Sequence, residues 1–302
     1  MKIFVTGGSG FVGSYITRRL SESGHKIFVV TRSKVRAQKS IPWATIIEGD
    51  PKKSGDWQQR ASESDAAINL AGNSIFTLWT DATRKAILNS RILTTRNLVD
   101  ALATSGHGKV LISASAVGYY GSRLDDEILD EEAHPGAEFM SKVCVEWEDA
   151  AQRAVQSGIR AVFCRFGIIL GRGGGALAMM LPAFRYMLGG TIGSGIQWMS
   201  WIHQEDLFNI FSFLLNEAEI AGPVNCVSPN PVRNAEFAKI LARTLGRPVL
   251  FPPMPAFVLR TMLGEFADVI LKGQRVIPKR LMEAGFSFRF PTLQQALEDL
   301  TK

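Results

Sequence analysis

Short apolar runs alternate along the chain with longer stretches in which apolar positions recur at helical spacing, the pattern of a parallel sheet wrapped by helices. The runs predict strands at 2–5, 26–30, 44–48, 66–69, 109–113 and 160–166. Helices are predicted over 10–23, where Gly24 ends the helix, over 81–104 and over 139–157. The strands are rich in Val and Ile with little polar alternation, so the sheet should be buried on both faces. The expected class is therefore α/β, a doubly wound parallel sheet.

After Leu170 the regularity gives way to the glycine-rich GRGGGALAMM and then to LGGTIGSGIQWMSWIH. Helical spacing returns over 206–215, a short strand over 224–227 and a helix over 234–245, with Asn234 as its N-cap and Gly246 at C′ before Pro248. Pro252, Pro253 and Pro255 mark a hinge before a last helical piece. The expected organisation is a sheet domain over 1–170, completed by about 203–228, and a smaller intertwined α/β unit over 171–202 and 229–302. No internal repeat, heptad or low-complexity segment is visible.

The length of 302 residues and an apolar fraction of 46% allow a sizeable core and exclude disordered, collagen-like and disulfide-stapled classes. The net charge of +6 suits an anionic small molecule and does not require a nucleic acid, for which no basic stripe with interleaved aromatics is present. Cys144, Cys164 and Cys226 lie far apart with no CxxC spacing, so neither a disulfide framework nor a metal site is expected. The apolar start is too short for a signal peptide, and the richest apolar run is broken by Pro182. A soluble cytoplasmic protein, off the membrane and monomeric or homodimeric, is the expectation.

Candidate chemistry begins at the first strand, where VTGGSGFVGS sets Gly7, Gly10 and Gly13 at three-residue spacing at the opening of a helix. The first glycine makes the tight turn, the second admits a pyrophosphate to the backbone, and the third lets helix and sheet pack closely. Phe11 and Val12 lie in the first turn of the helix whose free N–H groups would face the phosphates. This is the fingerprint of a Rossmann dinucleotide site. At the end of the second strand, where an NAD enzyme carries an acid for the ribose, stand Thr31 and Arg32, followed by Ser33, Lys34 and Arg36. Arg32 can pair with a 2′-phosphate, so NADP(H) is the expected cofactor, against the alternative of a solvated basic loop.

Together with this loop, NLAG at 69–72 and SAS at 113–115 resemble the extended short-chain dehydrogenase/reductase superfamily. SRILTTRNLVDA, SASAVGYYG, FMSKVCVEWE, GGTIGSG, WIHQED, SPNPVRNAEFA and GQRVIPKRLMEAGF further resemble its epimerase-family proteins that carry a C-terminal domain of unknown function, over essentially the whole chain. The resemblance implies NADP binding and an epimerase or oxidoreductase ancestry without an assigned substrate. It also implies cofactor contacts at Leu70 and Ala71 after the fourth strand, at Arg91 on the helix behind it, at Ser113, and at Ile168 near the nicotinamide.

Superfamily catalysis resembles a Ser, Tyr and Lys arrangement in which Tyr-x-x-x-Lys sets both groups on one helix face. Ser115 fits the serine and Lys142, gripping the nicotinamide ribose, fits the lysine, but Glu138 occupies the tyrosine position. The proton carrier is then Tyr119 or Tyr120 in the turn after Ser115, or Glu138, or the site binds without turnover as an NADP(H)-dependent regulator, for which the resemblance suggests a link to cell division. The expected arrangement is Tyr119 with Ser115 and Lys142. Beside it stand two-sided readings. His203 is a general base next to Asp206 or a helix cap. Trp198 and Trp201 with Met179, Met180 and Phe184 wall an apolar pocket or pack the core, and Gln274, Arg275, Lys279 and Arg280 meet an anionic substrate or form a solvated face.

Overall fold

The computed structural model describes residues 1–105, 108–123 and 125–302. In chain order its elements are β1 (Lys2–Thr6), α1 (Phe11–Glu22), β2 (Lys26–Thr31), α2 (Lys34–Ser40), β3 (Thr45–Glu48), α3 (Trp57–Ser62), β4 (Ala66–Asn69), α4 (Asp81–Ala103), β5 (Val110–Ala116), β6 (Ile128–Leu129), α5 (Phe139–Gln152), β7 (Arg160–Phe166) and β8 (Ile168–Leu170). There follow α6 (Gly175–Arg185), β9 (Trp198–Met199), β10 (Trp201–His203), α7 (Gln204–Asn216), β11 (Gly222–Cys226), β12 (Val232–Arg233), α8 (Asn234–Thr244), α9 (Ala256–Leu263), α10 (Phe266–Leu271), β13 (Arg275–Val276), α11 (Lys279–Glu283) and α12 (Leu293–Thr301). Seven strands form one parallel sheet in the order β11-β7-β5-β4-β1-β2-β3. The order reverses between β1 and β4, which opens a crevice at their C-terminal ends, where ligands bind in such sheets.

Both faces of the sheet are covered. Ile3 and Val5 point into a cluster with Ile16, Leu20, Leu207 and Phe211 of α1 and α7, while Phe4 points the other way to Trp57, Leu98 and Leu102. A third cluster outside the sheet joins Leu177, Phe184, Trp201, Phe237, Leu241 and Leu297, so Trp201 and Phe184 are core residues and not a pocket wall. The strand predicted at 109–113 continues to Ala116, because β7 pairs with it along that whole length and leaves no edge to break it. The helix predicted over 139–157 ends at Gln152 and tightens into a 3-10 turn over 153–157. Asn234 is not the N-cap of α8: Arg233 is, and the Asn234 amide oxygen instead accepts the Ile192 N–H at 2.8 Å. Gly246, at φ 63°, does stand just past the end of that helix.

The WIHQED segment joins the two parts of the chain. His203 caps α7, its Nδ1 accepting the Glu205 N–H at 3.0 Å, and its ring stacks on Phe290 at 3.9 Å. Fully buried Asp206 accepts the backbone N–H groups of Arg289 at 2.7 Å and Phe290 at 2.9 Å. Glu205 accepts from Tyr15 and Arg19 of α1. One helical turn thus fastens the C-terminal segment to the helix that opens at the glycine loop. No helix among the described residues is long and apolar enough to cross a membrane.

Burial pushes the His203 imidazole down to about 4, so it stays neutral in the folded protein. The unfolded chain, with an ordinary histidine near 6.5, binds a proton that the folded chain refuses between about pH 6.5 and 4. Stability attributable to this residue therefore falls as pH drops through that window, by roughly 3 kcal/mol at most. His203→Asn keeps a capping acceptor without the titration. Denaturant unfolding at pH 7 and pH 4.5 should show a smaller acid loss in the variant than in the parent, and equal losses would remove His203 as the cause.

Candidate functional site

The turn after β1 requires its glycines for different steric reasons. Gly7 sits at φ 71°, and a Cβ there would lie 2.6 Å from the Leu70 carbonyl and 2.7 Å from the Ala71 nitrogen. The turn is therefore pressed against the chain leaving β4. A Cβ on Gly13 would lie 2.2 Å from the Gly7 oxygen, so this glycine sets how closely α1 approaches the turn. Gly10 differs. A Cβ there meets only the Gly7 oxygen, at 3.3 Å, so Gly10 borders open space at the mouth of α1. Among the described residues no side chain caps α1, and no acid stands in its first turn, which leaves its N–H groups and partial positive charge to a ligand. The glycine turn, Leu70 and Ala71 are thus brought together, as a pyrophosphate cradle requires.

Phe11 explains the later glycine run. Its ring lies where a Cβ on Gly171, Gly174 or Gly175 would fall, at 2.8, 2.3 and 2.7 Å, so GRGGG is the socket of Phe11. Val12 packs against the core. Thr31 ends β2 in register with Glu48, and Arg32, Lys34 and Arg36 beyond it are exposed and form no ion pair among the described residues.

Beneath the crevice lies a buried polar chain. The Thr6 hydroxyl donates to Asn69 Oδ1 at 2.7 Å, and Asn69 Nδ2 donates to Thr95 Oγ1 at 2.8 Å and Ser113 Oγ at 3.1 Å. Ser113 therefore supports the floor of the crevice, being 1% exposed. Arg91 is half-buried against Gly72 and over the Trp147 ring at 5.1 Å; its Nη1 donates to the Ile87 and Asn73 carbonyls, and burial lowers its pKa from the arginine value.

Around Ser115 the sequence reading missed the residues that matter most. The Ser115 hydroxyl donates to Glu148 at 2.6 Å, and Glu148 is gripped bidentately by Arg165 at 2.9 and 2.8 Å. Burial disfavours the guanidinium charge, yet Glu148 raises the pKa of Arg165 above the ordinary value. Arg165 also donates to the Tyr120 hydroxyl, which itself donates to Asn225 at 2.7 Å; burial pushes this phenol up to about 12. Tyr120 is therefore a structural member of the network. Tyr119, half-buried, has its ring centroid 3.5 Å from the Arg165 guanidinium carbon and makes no side-chain hydrogen bond among the described residues. The available signal was a charged residue in the apolar run AVFCRF, since a strand buried on both faces admits Arg165 only with a partner.

Glu138 is committed to structure. Burial opposes its ionisation, but the Ser122 N–H at 2.9 Å and the Ser141 hydroxyl at 3.3 Å hold its carboxyl below the ordinary value. Ser141 also donates to the Gly118 carbonyl at 2.9 Å, tying α5 to the Tyr119 turn. Lys142 is exposed on the first turn of α5, and no hydrogen bond or ion pair joins its side chain to Ser115 or Tyr119. Ile168 is half-buried at the start of β8, its N–H donating to the Ser200 carbonyl at 2.8 Å. The basic residues near the C-terminus are taken up internally. Lys279 pairs with Asp130 and Glu132 at 3.1 and 3.3 Å, Arg280 donates to the Ala221 and Pro223 carbonyls, and Gln274 donates to the Val117 carbonyl.

Residues 3–226 match the model of the NAD dependent epimerase/dehydratase family, and residues 254–300 match DUF1731, a domain of unknown function. The chain is 40% identical to the epimerase family protein SDR39U1 homolog, chloroplastic, of Arabidopsis thaliana, over 98% of this chain and 86% of that protein. It is 39% identical to the epimerase family protein YfhF of Bacillus subtilis, over 99% and 98% of the two chains. The crystal structure of the human epimerase family protein SDR39U1 (isoform2) with NADPH superposes with a TM-score of 0.88 at 35% identity, covering 99% of each chain. The glycine cradle, the seven-stranded sheet and the C-terminal segment clamped by the WIHQED turn are thus the parts of a chain that belongs to the NAD dependent epimerase/dehydratase family.

Proposed function

We propose that the protein is an NADP(H)-dependent oxidoreductase or epimerase-like enzyme acting on a small molecule. The observation that carries this reading is the open backbone at Gly10 on a sheet whose β5 carries Ser115 near its end and leads into the turn that holds Tyr119. When bound, the nicotinamide supplies or accepts hydride. Gly7, Gly10 and Gly13 with the α1 N-terminus hold the pyrophosphate, and Thr31 and Arg32 meet the adenosine phosphate, a reading also supported by the NADPH in the human relative. Leu70, Ala71, Arg91 and Ile168 border the bound dinucleotide, and Lys142 grips the nicotinamide ribose. Ser115 holds the substrate oxygen once its hydroxyl proton turns from Glu148, its partner in the site without substrate. Tyr119 exchanges the proton, because Tyr120 and Glu138 are held by other partners.

A second reading, an NADP(H) binder without turnover, is favoured by the exposed position of Lys142 and by the commitment of Glu138 to Ser122. Proton transfer separates the two. With aldehydes and ketones as probe substrates, Tyr119→Phe should lower kcat about a hundredfold while the protein still binds NADPH. An unchanged rate would remove Tyr119 from the mechanism, and no NADPH oxidation with any probe would favour the binder.

Titration of both cofactors should show at least about tenfold preference for NADPH over NADH, roughly 1.4 kcal/mol. Arg32→Glu should erase it, since the change removes the phosphate's partner and restores a ribose-binding acid. Equal affinities in the parent protein would withdraw the assignment. Gly10→Val should abolish cofactor binding and leave the circular dichroism spectrum unchanged, because the added group fills the ligand's space and not the core. Normal NADPH binding by that variant would reduce Gly10 to a turn residue.

A further inference from the structure

The chain that leaves the cradle at Ala71 crosses to α4 through a loop whose aromatic rings are not core. Phe76 meets Phe266 of α10 edge-on at 5.2 Å, and Trp79 lies 6.0 Å from Phe266 and 5.2 Å from Phe139. Phe139 directly follows Glu138, which occupies the usual tyrosine position, and its helix is fastened to the Tyr119 turn through Ser141. The cluster therefore joins the loop that follows the cradle to α5, the helix fastened to the Tyr119 turn, and to α10 of the C-terminal unit. Its outer edge faces solvent at Phe76, 51% exposed, beside Leu78 at 58%; Trp79 and Phe139 are half-buried, and Phe266 is buried behind them.

Apart from Lys142, assigned above to the nicotinamide ribose, the arginine over the cluster and several cations of the C-terminal unit are matched within the chain. Arg84 pairs with Glu265 and lies over the Phe139 ring at 4.7 Å. Arg233 pairs with Asp126, and Arg275 donates to the Asp126 carbonyl at 3.4 Å while both guanidinium groups stack on Trp198. Lys279 is held by two carboxylates. A nucleoside diphosphate brings charges that need unmatched arginine or lysine, and burying them against aromatic rings is costly. An apolar body gains from the same surface.

We infer that the substrate is a carbonyl compound with an apolar body, seated on Phe76, Trp79 and Phe139, which buried Phe266 backs; this rests on the NADP(H)-dependent reading above. In the reduction, the carbonyl carbon receives hydride from NADPH and the carbonyl oxygen receives the Tyr119 proton. The C=O π bond is replaced by C–H and O–H bonds, NADP⁺ and an alcohol leave, and solvent returns the proton to Tyr119.

Calorimetric titration of the NADP⁺-loaded protein with straight-chain aldehydes from butanal to nonanal tests this, with UDP-glucose as a parallel probe. Affinity should rise roughly threefold per added methylene. Phe76→Ala and Leu78→Ser, both at exposed positions that should not disturb folding, should flatten that dependence and weaken nonanal about tenfold. A chain-length dependence that is flat, or UDP-glucose binding tighter than nonanal, on a protein that binds NADP⁺ normally would overturn the apolar substrate and leave the cofactor reading intact. Failure to bind NADP⁺ would overturn both.

Discussion

The ion pair between Arg165 and Glu148 holds together the end of the crevice at which we propose the chemistry. Arg165 is the penultimate residue of a strand buried on both faces, and a bare guanidinium there would be prohibitively costly. Glu148 matches it with two hydrogen bonds, and the remaining donors and acceptors fall to Ser115, Tyr120 and the Glu131 carbonyl. Removing one partner of such a pair typically costs about 3–5 kcal/mol, because the other charge is left buried and alone. The pair therefore does more than stabilise. It sets the direction of the Ser115 hydroxyl and supplies the cation on which the Tyr119 ring lies.

The cradle at the other end depends on close approach in place of charge. Gly7 and Gly13 let the turn, α1 and the chain after β4 come within van der Waals contact, and the Phe11 ring is received by glycines from beyond β8. Because Glu205 and Asp206 tie α1 and the 289–290 backbone to one helical turn, the C-terminal segment is positioned by the same helix whose N-terminus opens the cradle. The two parts of the chain are coupled through that turn, and the aromatic loop from Phe76 to Trp79 closes the connection on the far side.

Backbone features were legible in the sequence because local chemistry dictates them. The glycine trio, the apolar strands and the histidine cap follow from turn geometry, burial and capping, and the sheet runs as those patterns require. What was hidden depends on partners distant in sequence. Asn234 looks like a cap by its local setting, yet a backbone N–H 42 residues away claims its side chain. The GRGGG run reads as a loop until Phe11 arrives from 160 or more residues upstream. Lys279 and Arg280 read as a free basic cluster, whereas Asp130, Glu132 and the β11 carbonyls occupy them. Ser115 was visible, but the Glu148 and Arg165 pair that orients it was not, since nothing local links a helix carboxylate to a strand arginine 17 residues on.

The account turns on whether Ser115 and Tyr119 flank a bound nicotinamide, and a crystal structure of the protein soaked with NADPH measures this directly. The expected result has the pyrophosphate over Gly10, the adenosine phosphate at Arg32, and both hydroxyls within about 3.2 Å, or one water, of a common point beside the nicotinamide ring. A nicotinamide lying away from both residues, with no protein hydroxyl or carboxyl beside its reacting carbon, would contradict it.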